Sequence, residues 1–151
     1  MTICGRRQES INHVGLELGP ACQVVQGDIT VDADRKRILD SALAHGSGLD
    51  GLVNNAGNMY RAALADIDES ALMEVFHQNV VGAMMMSSIC TPALAARGGS
   101  IVFIGSIHTR RAFPGASPYA ATYVSNFIVS NMKDFLRKHI KEFDSFFEVF
   151  R

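Results

Sequence analysis

Ser106 and Tyr119, thirteen residues apart, are the pair in this chain best suited to chemistry on an oxygen atom. A hydroxyl at a strand end and a phenol one turn into the next helix can hold a polar group and exchange a proton with it. Upstream, Asn54-Asn55-Ala56-Gly57 follows a short apolar run, and Asn79 lies on a later segment. Asparagine and glycine tolerate left-handed backbone and mark a tight turn, where main chain can come close to a nucleotide. Proton exchange beside a cofactor that carries a hydride is the chemistry these parts suit. Singly, each has an ordinary structural reading: Asn54 to Gly57 a turn, Asn79 a helix residue bonding to backbone, Ser106 a strand-end hydroxyl, Tyr119 a packed aromatic, Asp28 a helix cap. Order and spacing together are what point to a redox site.

The elements that must position these residues follow from periodicity. Short apolar runs alternate with amphipathic segments, the pattern of an α/β fold with a parallel sheet and crossover helices. Strands are expected at Met1 to Cys4, Cys22 to Gln26, Leu49 to Val53 and Ser100 to Ile104. Helices are expected at Gln8 to Leu18, stopped by Gly19-Pro20, and at Asp32 to His45, with acidic residues in its first turn. One long helix is expected from about Asp66 to Arg97, with Asp66 and Glu69 at capping-box spacing, Pro92 bending its last turns and Gly98-Gly99 ending it. Ser117-Pro118 opens a further helix as N-cap and first-turn proline, which puts Tyr119 near its start. There is no internal repeat and no low-complexity linker.

Composition narrows the function classes. The chain has 151 residues, 48% of them hydrophobic, enough for one globular unit with a sizeable core. Fourteen basic and fifteen acidic residues give a net charge of −1 with no basic face, which argues against nucleic acid as a partner. Cys4, Cys22 and Cys90 form no Cys-x-x-Cys pair, so they suit free thiols in a reducing compartment rather than a disulfide or zinc framework. No metal site is expected. The longest apolar run, around Val80 to Met86, falls short of the roughly 20 residues of a membrane span, and no leader pattern opens the chain. A cytoplasmic address is the expectation.

From Thr2 to Thr122 these motifs, in this order, resemble the short-chain dehydrogenase/reductase family. Asn54 to Gly57 match its Asn-Asn-Ala-Gly turn, which supports the cofactor end of the central strand. Asn79-Val80-Val81-Gly82 is similar to the segment holding its catalytic asparagine, and Ser106 after Ile101 to Gly105 to that holding its catalytic serine. Tyr119-Ala120-Ala121-Thr122 matches its catalytic tyrosine segment, and Asp28-Ile29 its position beside the adenine. The resemblance implies a Rossmann-like, doubly wound parallel sheet and hydride transfer between a nicotinamide cofactor and a carbonyl or secondary alcohol. It assigns Tyr119 as proton donor or acceptor, Ser106 as holder of the substrate oxygen, and Asn79 as the group that orders water. Cofactor contacts fall to Arg6, Asp28, Ile29, Asn55, Ala56 and Gly57. At the end of the second family strand a carboxylate would bind the ribose 2′-hydroxyl, whereas an arginine suits a 2′-phosphate. Gly5-Arg6-Arg7 stands there, so NADP is expected over NAD. Members pair through the long helix and the active-site helix, which makes a homo- or hetero-oligomer the expected assembly.

Three departures from the family pattern shape the expectation further. The chain opens at the second family strand, without the first strand and its glycine-rich pyrophosphate loop; Gly15 and Gly19, within and at the end of a helix, do not replace it. In the strand order 3-2-1-4-5-6 this leaves two half-sheets with facing free edges. Four residues after Tyr119, where the family has a lysine that holds the nicotinamide ribose and lowers the phenol's pKa, stands Tyr123. A phenol at its ordinary pKa of about 10 is ionised to only about one part in a thousand at neutral pH, so impaired turnover is expected. After Thr122 the composition changes: Lys133, Lys138 and Lys141 follow a stretch whose one lysine is Lys36, and six of nine phenylalanines fall there. Residues 123–151 are therefore expected to form a helical tail in place of the family's last strands. Its apolar stripe is Phe127, Ile128, Phe135, Leu136, Ile140, Phe143 and Phe147. A non-catalytic fragment or dimerisation partner of an intact relative is the alternative reading. Substrate recognition has only His108, Arg110 and Phe113 as loop candidates.

Overall fold

Parallel strand pairing in two separate places organises the chain. The computed structural model describes residues 1–111 and 113–130. Strand β1 (Thr2–Gly5) leads through helix α1 (Gln8–Leu18) to β2 (Gln23–Gln26). The two strands run parallel, with Thr2 opposite Gln23 and Gly5 opposite Gln26. Helix α2 (Asp32–Gly46) then carries the chain to β3 (Gly51–Asn54). A 3₁₀ turn (Leu64–Asp66), α3 (Glu69–Phe76), a π turn (His77–Val81) and α4 (Gly82–Arg97) follow. Strand β4 (Ser100–Phe103) pairs parallel with β3, Gly51 opposite Ser100 and Asn54 opposite Phe103. A 3₁₀ turn at Ile107–Thr109 and helix α5 (Ser117–Ser130) complete the described elements. The architecture is α/β and Rossmann-like, and among the described residues the sheet is incomplete, two separate parallel pairs.

Among the described residues no strand joins the pairs, and helices hold them together. Val25 of β2, Ile38 of α2 and Met86, Cys90 and Leu94 of α4 form one buried cluster, with Leu52 of β3 and Ile101 of β4 packed against it. Helix α4 thus touches both half-sheets with one face, and Leu94 and Cys90 are each only 1% exposed. Its end is set by Gly98 in the left-handed conformation at φ 66°, whose N–H reaches Leu94 and Ala95 carbonyls. Gly98 adopts that backbone without a β-carbon penalty, and Gly99, where a β-carbon would lie 2.7 Å from the carbonyl oxygen of Asp50, passes close to that carbonyl just before β4.

Two expectations are corrected here. The cap of the long helix is Asp68, not Asp66: the Asp68 carboxylate accepts from the N–H of Ala71 and the hydroxyl of Ser70, while Asp66 sits in the preceding 3₁₀ turn. Asp-x-Asp offers two caps three and one residues before the first helical turn, and spacing to Glu69 favoured the wrong one. The run Glu69–Arg97 is also longer and more apolar than a count of uninterrupted apolar residues implied. At 29 residues, with a mean hydropathy of 1.4 in its most apolar window, it is long and apolar enough to cross a membrane. Met86, Cys90 and Leu94 nonetheless place its inner face in the core. Helix α5 runs without a break across Thr122 and Tyr123. Phe127 and Ile128 fall in its last turns; Phe135, Leu136, Ile140, Phe143 and Phe147 lie outside the described residues, as do Lys133, Lys138 and Lys141.

Candidate active site

Asn79 is the residue on which this region turns. It lies in the π turn, where one extra residue per turn rotates its side chain out of the regular helical ladder, and it is 2% exposed. Its Oδ1 accepts the N–H of Asn58 at 2.7 Å, and its Nδ2 donates to the Asn58 carbonyl at 2.9 Å and to Thr122 Oγ1 at 3.0 Å. The fully buried Thr122 hydroxyl in turn donates to the carbonyl of Tyr119 at 2.7 Å. One amide thus ties the loop after β3 to the first turns of α5. Sequence reasoning missed Thr122 and Asn58; the signal available was that Thr122 sits three residues after Tyr119, on the inner face of the same helix turn.

Tyr119 lies between two rings. His108 meets it edge to face, with centroids 5.0 Å apart, and Tyr123 packs on it at 4.7 Å. His108 also packs against Phe113 at 4.5 Å, so two of the three loop candidates belong to this cluster, whereas Arg110 is exposed. Ser106 caps the 3₁₀ turn: its Oγ accepts the N–H of His108 at 3.3 Å and lies 3.0 Å from His108 Nδ1. With the backbone N–H already donated to it, the serine hydroxyl is placed to donate to Nδ1, which leaves the proton of a neutral imidazole on Nε2. That Nε2 is buried without a partner. His108 therefore links Ser106 to Tyr119, a connection that no sequence pattern announced.

Tyr123 occupies the other side. Its hydroxyl stands 2.9 Å from the point where a β-carbon on Gly57 would lie, and Asn79 Oδ1 stands 3.4 Å from the same point. Gly57 does not have a positive φ, so space rather than backbone conformation is what suits glycine here. Burial of the phenol and its hydrogen bond with Tyr119 push the Tyr123 pKa up to about 12.

The remaining predicted residues gather at a cleft of about 570 Å³ between β1 and the turn after β3. Arg6, Arg7 and Ser10, at the start of α1, line one side; Asp28, Ile29 and Thr30, after β2, line the floor; Ala56, Gly57 and Asn58 line the far end. Arg7 is the N-cap of α1 and caps it with no side-chain hydrogen bond, so the positive end of the helix is open to the cleft. Arg6 is exposed, and its guanidinium lies 4.0 Å from an Asp28 oxygen. The other Asp28 oxygen accepts from the N–H and hydroxyl of Thr30 at 2.9 and 2.8 Å. The Asp28 N–H donates to Asp34, and this bond, with Arg37 beside it, holds the Asp34 carboxyl below its usual range. Asn55 is exposed and does not line the cleft. Its neighbour Asn54 donates through Nδ2 to Ser87 Oγ at 3.0 Å and anchors the turn on α4. Asn79, Ser106, Tyr119 and Tyr123 are not on the cleft wall. Among the described residues no group of three or more histidines, cysteines and acids is placed to hold a metal.

The model of the short chain dehydrogenase family matches residues 1–141, and the chain belongs to that family. A relative from Sarocladium schorii, the oxidoreductase asL5, is 34% identical over 121 residues, covering 80% of this chain and 49% of that protein. A 3-phenylpropionate-dihydrodiol/cinnamic acid-dihydrodiol dehydrogenase from Escherichia coli is 34% identical over 110 residues, 65% of this chain and 40% of its own length. Among solved structures, a gluconate 5-dehydrogenase from Burkholderia cenocepacia in complex with NADP and tartrate superposes with a TM-score of 0.77 at 26% identity, over 87% of this chain and 53% of that one. An NADH-dependent reductase responsible for alginate metabolism gives a TM-score of 0.83 at 24% identity, over 92% of this chain and 62% of that chain, a likeness of fold. The chain spans about half the length of the curated relatives it matches or less. The family comprises oxidoreductases acting on CH–OH groups with nicotinamide cofactors and small-molecule substrates.

Proposed function

We propose that this chain keeps the cofactor-binding half of an oxidoreductase site, prefers the 2′-phosphorylated cofactor NADP over NAD, and is impaired in hydride transfer to a carbonyl or from a secondary alcohol. The observation that carries the reading is the placement of Arg6 and Arg7 at the open N-terminus of α1, on the wall of one cleft with Asp28 and Ile29. Two guanidinium groups and the positive end of a helix suit a phosphate, and no carboxylate stands at the end of β1 to take a ribose hydroxyl. Solved neighbours include one in complex with NADP and one NADH-dependent reductase, so the choice rests on the two arginines.

At the other end of the site the residues do not fit the nicotinamide group. Tyr119 and Ser106 are of the right types to exchange a proton with a substrate oxygen and to hold it. Tyr123, though, stands against Gly57, where the family resemblance places the lysine that holds the nicotinamide ribose. A neutral phenol supplies no cation to stabilise ionised Tyr119, so proton abstraction from an alcohol suffers most. Calorimetric titration with both cofactors tests the binding half: tighter binding of the non-phosphorylated form would end the NADP reading. Turnover tests the other half, since a cofactor-dependent rate lost in Tyr119→Phe would overturn the impairment.

The Tyr123–Gly57 contact also favours a second reading, a non-catalytic chain that docks on an intact relative. Val81, Met84 and Met85 of the long helix run and Val124 of α5 are large apolar side chains each 40–42% exposed, on the two helices through which such pairing is expected. The free thiols of Cys4, Cys22 and Cys90 support a reducing compartment, and the cytoplasm is the address we assign.

A further inference from the structure

The cleft and the reacting residues occupy different places. The cleft is lined from the start of α1 to Gly57, Asn58 and Gln78, and Asn79, Ser106, Tyr119 and Tyr123 are not among its lining residues. At that end the Tyr123 hydroxyl fills the space beside Gly57, 2.9 Å from the point a β-carbon on that glycine would take, so a ligand group cannot share that space while the ring stays put. The ring is also well secured. It packs on Tyr119, Tyr119 packs on His108, and the helix turn between them is fastened by the buried Thr122 hydroxyl to Asn79. Moving the phenol aside means unpacking this cluster. Where β1 passes into α1 the connection is Arg6-Arg7, which sets two cations at the uncapped start of the helix on the cleft wall.

We propose that the site takes an adenine nucleotide carrying a 2′-phosphate, and that Tyr123 shuts out the nicotinamide half of the dinucleotide. The proposal rests on the reading of the cleft as a cofactor site. It makes the chain a binder of adenosine 2′-phosphate groups, whose affinity for the whole cofactor comes from one half of that molecule.

The test is calorimetry on the full chain with four probes: NADPH, adenosine 2′,5′-bisphosphate, adenosine 5′-monophosphate and reduced nicotinamide mononucleotide. The expected result is a bisphosphate Kd within about threefold of that for NADPH, the monophosphate weaker by about tenfold, and no saturation by the mononucleotide. The emission of bound NADPH should match that of NADPH free in water, because its nicotinamide remains in solvent. Tyr123→Phe removes the oxygen nearest Gly57 and keeps the ring packing; Tyr123→Ala removes both. In Tyr123→Ala the affinity for NADPH should rise about tenfold with bisphosphate affinity unchanged, and in Tyr123→Phe it should rise less. Unchanged bisphosphate binding also certifies that each variant is folded. NADPH binding the unaltered chain tenfold or more tighter than the bisphosphate would overturn this proposal and leave the cofactor reading standing. Binding of none of the four would overturn both.

Discussion

Asn79 donates to Thr122 Oγ1 at 3.0 Å across 43 residues of sequence, and both side chains are buried. A π turn on one helix run is thereby fastened to the first turns of α5, with the Asn58 backbone held by the same amide. Asn79→Ala leaves the Asn58 groups and the Thr122 hydroxyl short of partners in a part-buried setting. It should cost about 2 kcal/mol, since an unsatisfied buried polar group costs about 1–3 kcal/mol. Thr122→Val, isosteric but without the hydroxyl, should cost about 1–2 kcal/mol, and Thr122→Ser should cost less because it keeps both bonds. Urea unfolding checks the series: the midpoints should fall in the order serine, valine, Asn79→Ala.

The Gly57–Tyr123 approach calls for a double-mutant cycle. In the unaltered chain Gly57→Ala inserts a methyl 2.9 Å from the phenol oxygen and should destabilise by about 1–2 kcal/mol, the scale of overpacking. In a Tyr123→Ala background the same change should cost nearly nothing, because Asn79 Oδ1 at 3.4 Å is then the tightest contact left. Equal costs in both backgrounds would show that the two residues do not couple.

Much of this arrangement was legible in the residues. Gly19 and Gly98, with the proline at 118, bounded α1, α4 and α5 because their effects are local and chemical. The two separate strand pairs followed from the strand order that the family resemblance implied, not from the residues themselves. What could not be read is what depends on tertiary placement. The His108 bridge from Ser106 to Tyr119 needs the 3₁₀ turn at Ile107–Thr109, which brings an i, i+2 pair together where a strand would separate them. Asn55 belongs to the matched motif but points to no cleft, because the turn is anchored through Asn54 instead.

Asp68 and Asp66 offer a sharper check on the helix start. Asp68 accepts from Ala71 and Ser70, and those bonds hold its carboxyl below the ordinary range, the Ser70 hydroxyl contributing most. Asp68→Ala should lower the urea midpoint, whereas Asp66→Ala should leave it unchanged. Because the folded-state pKa of Asp68 is depressed, its contribution is present above the ordinary aspartate pKa of about 3.9 and is lost as pH falls through the folded value. The difference between the two variants should therefore shrink in acid. An equal loss from both would return the cap to Asp66.

At the alkaline end the sign reverses. The Tyr123 pKa is raised to about 12 by burial and by the hydrogen bond with Tyr119, above the ordinary value of about 10 that it has when unfolded. Its neutral form is favoured in the folded chain, so this contribution to stability is complete below pH 10 and declines as pH rises through the folded-state value near 12. Phenolate absorbance on the folded chain should show a step near pH 12 that Tyr123→Phe removes. Tyr123→Lys changes the outcome in a second way. It removes the aromatic partner of Tyr119 and sets an ammonium beside it, which favours the Tyr119 phenolate. A phenolate step at lower pH than any in the unaltered chain should then appear, and a further Tyr119→Phe change should abolish it. If that step persisted without Tyr119, the ionising group would have to be Tyr60, and the coupling between the two neighbours on α5 would be refuted.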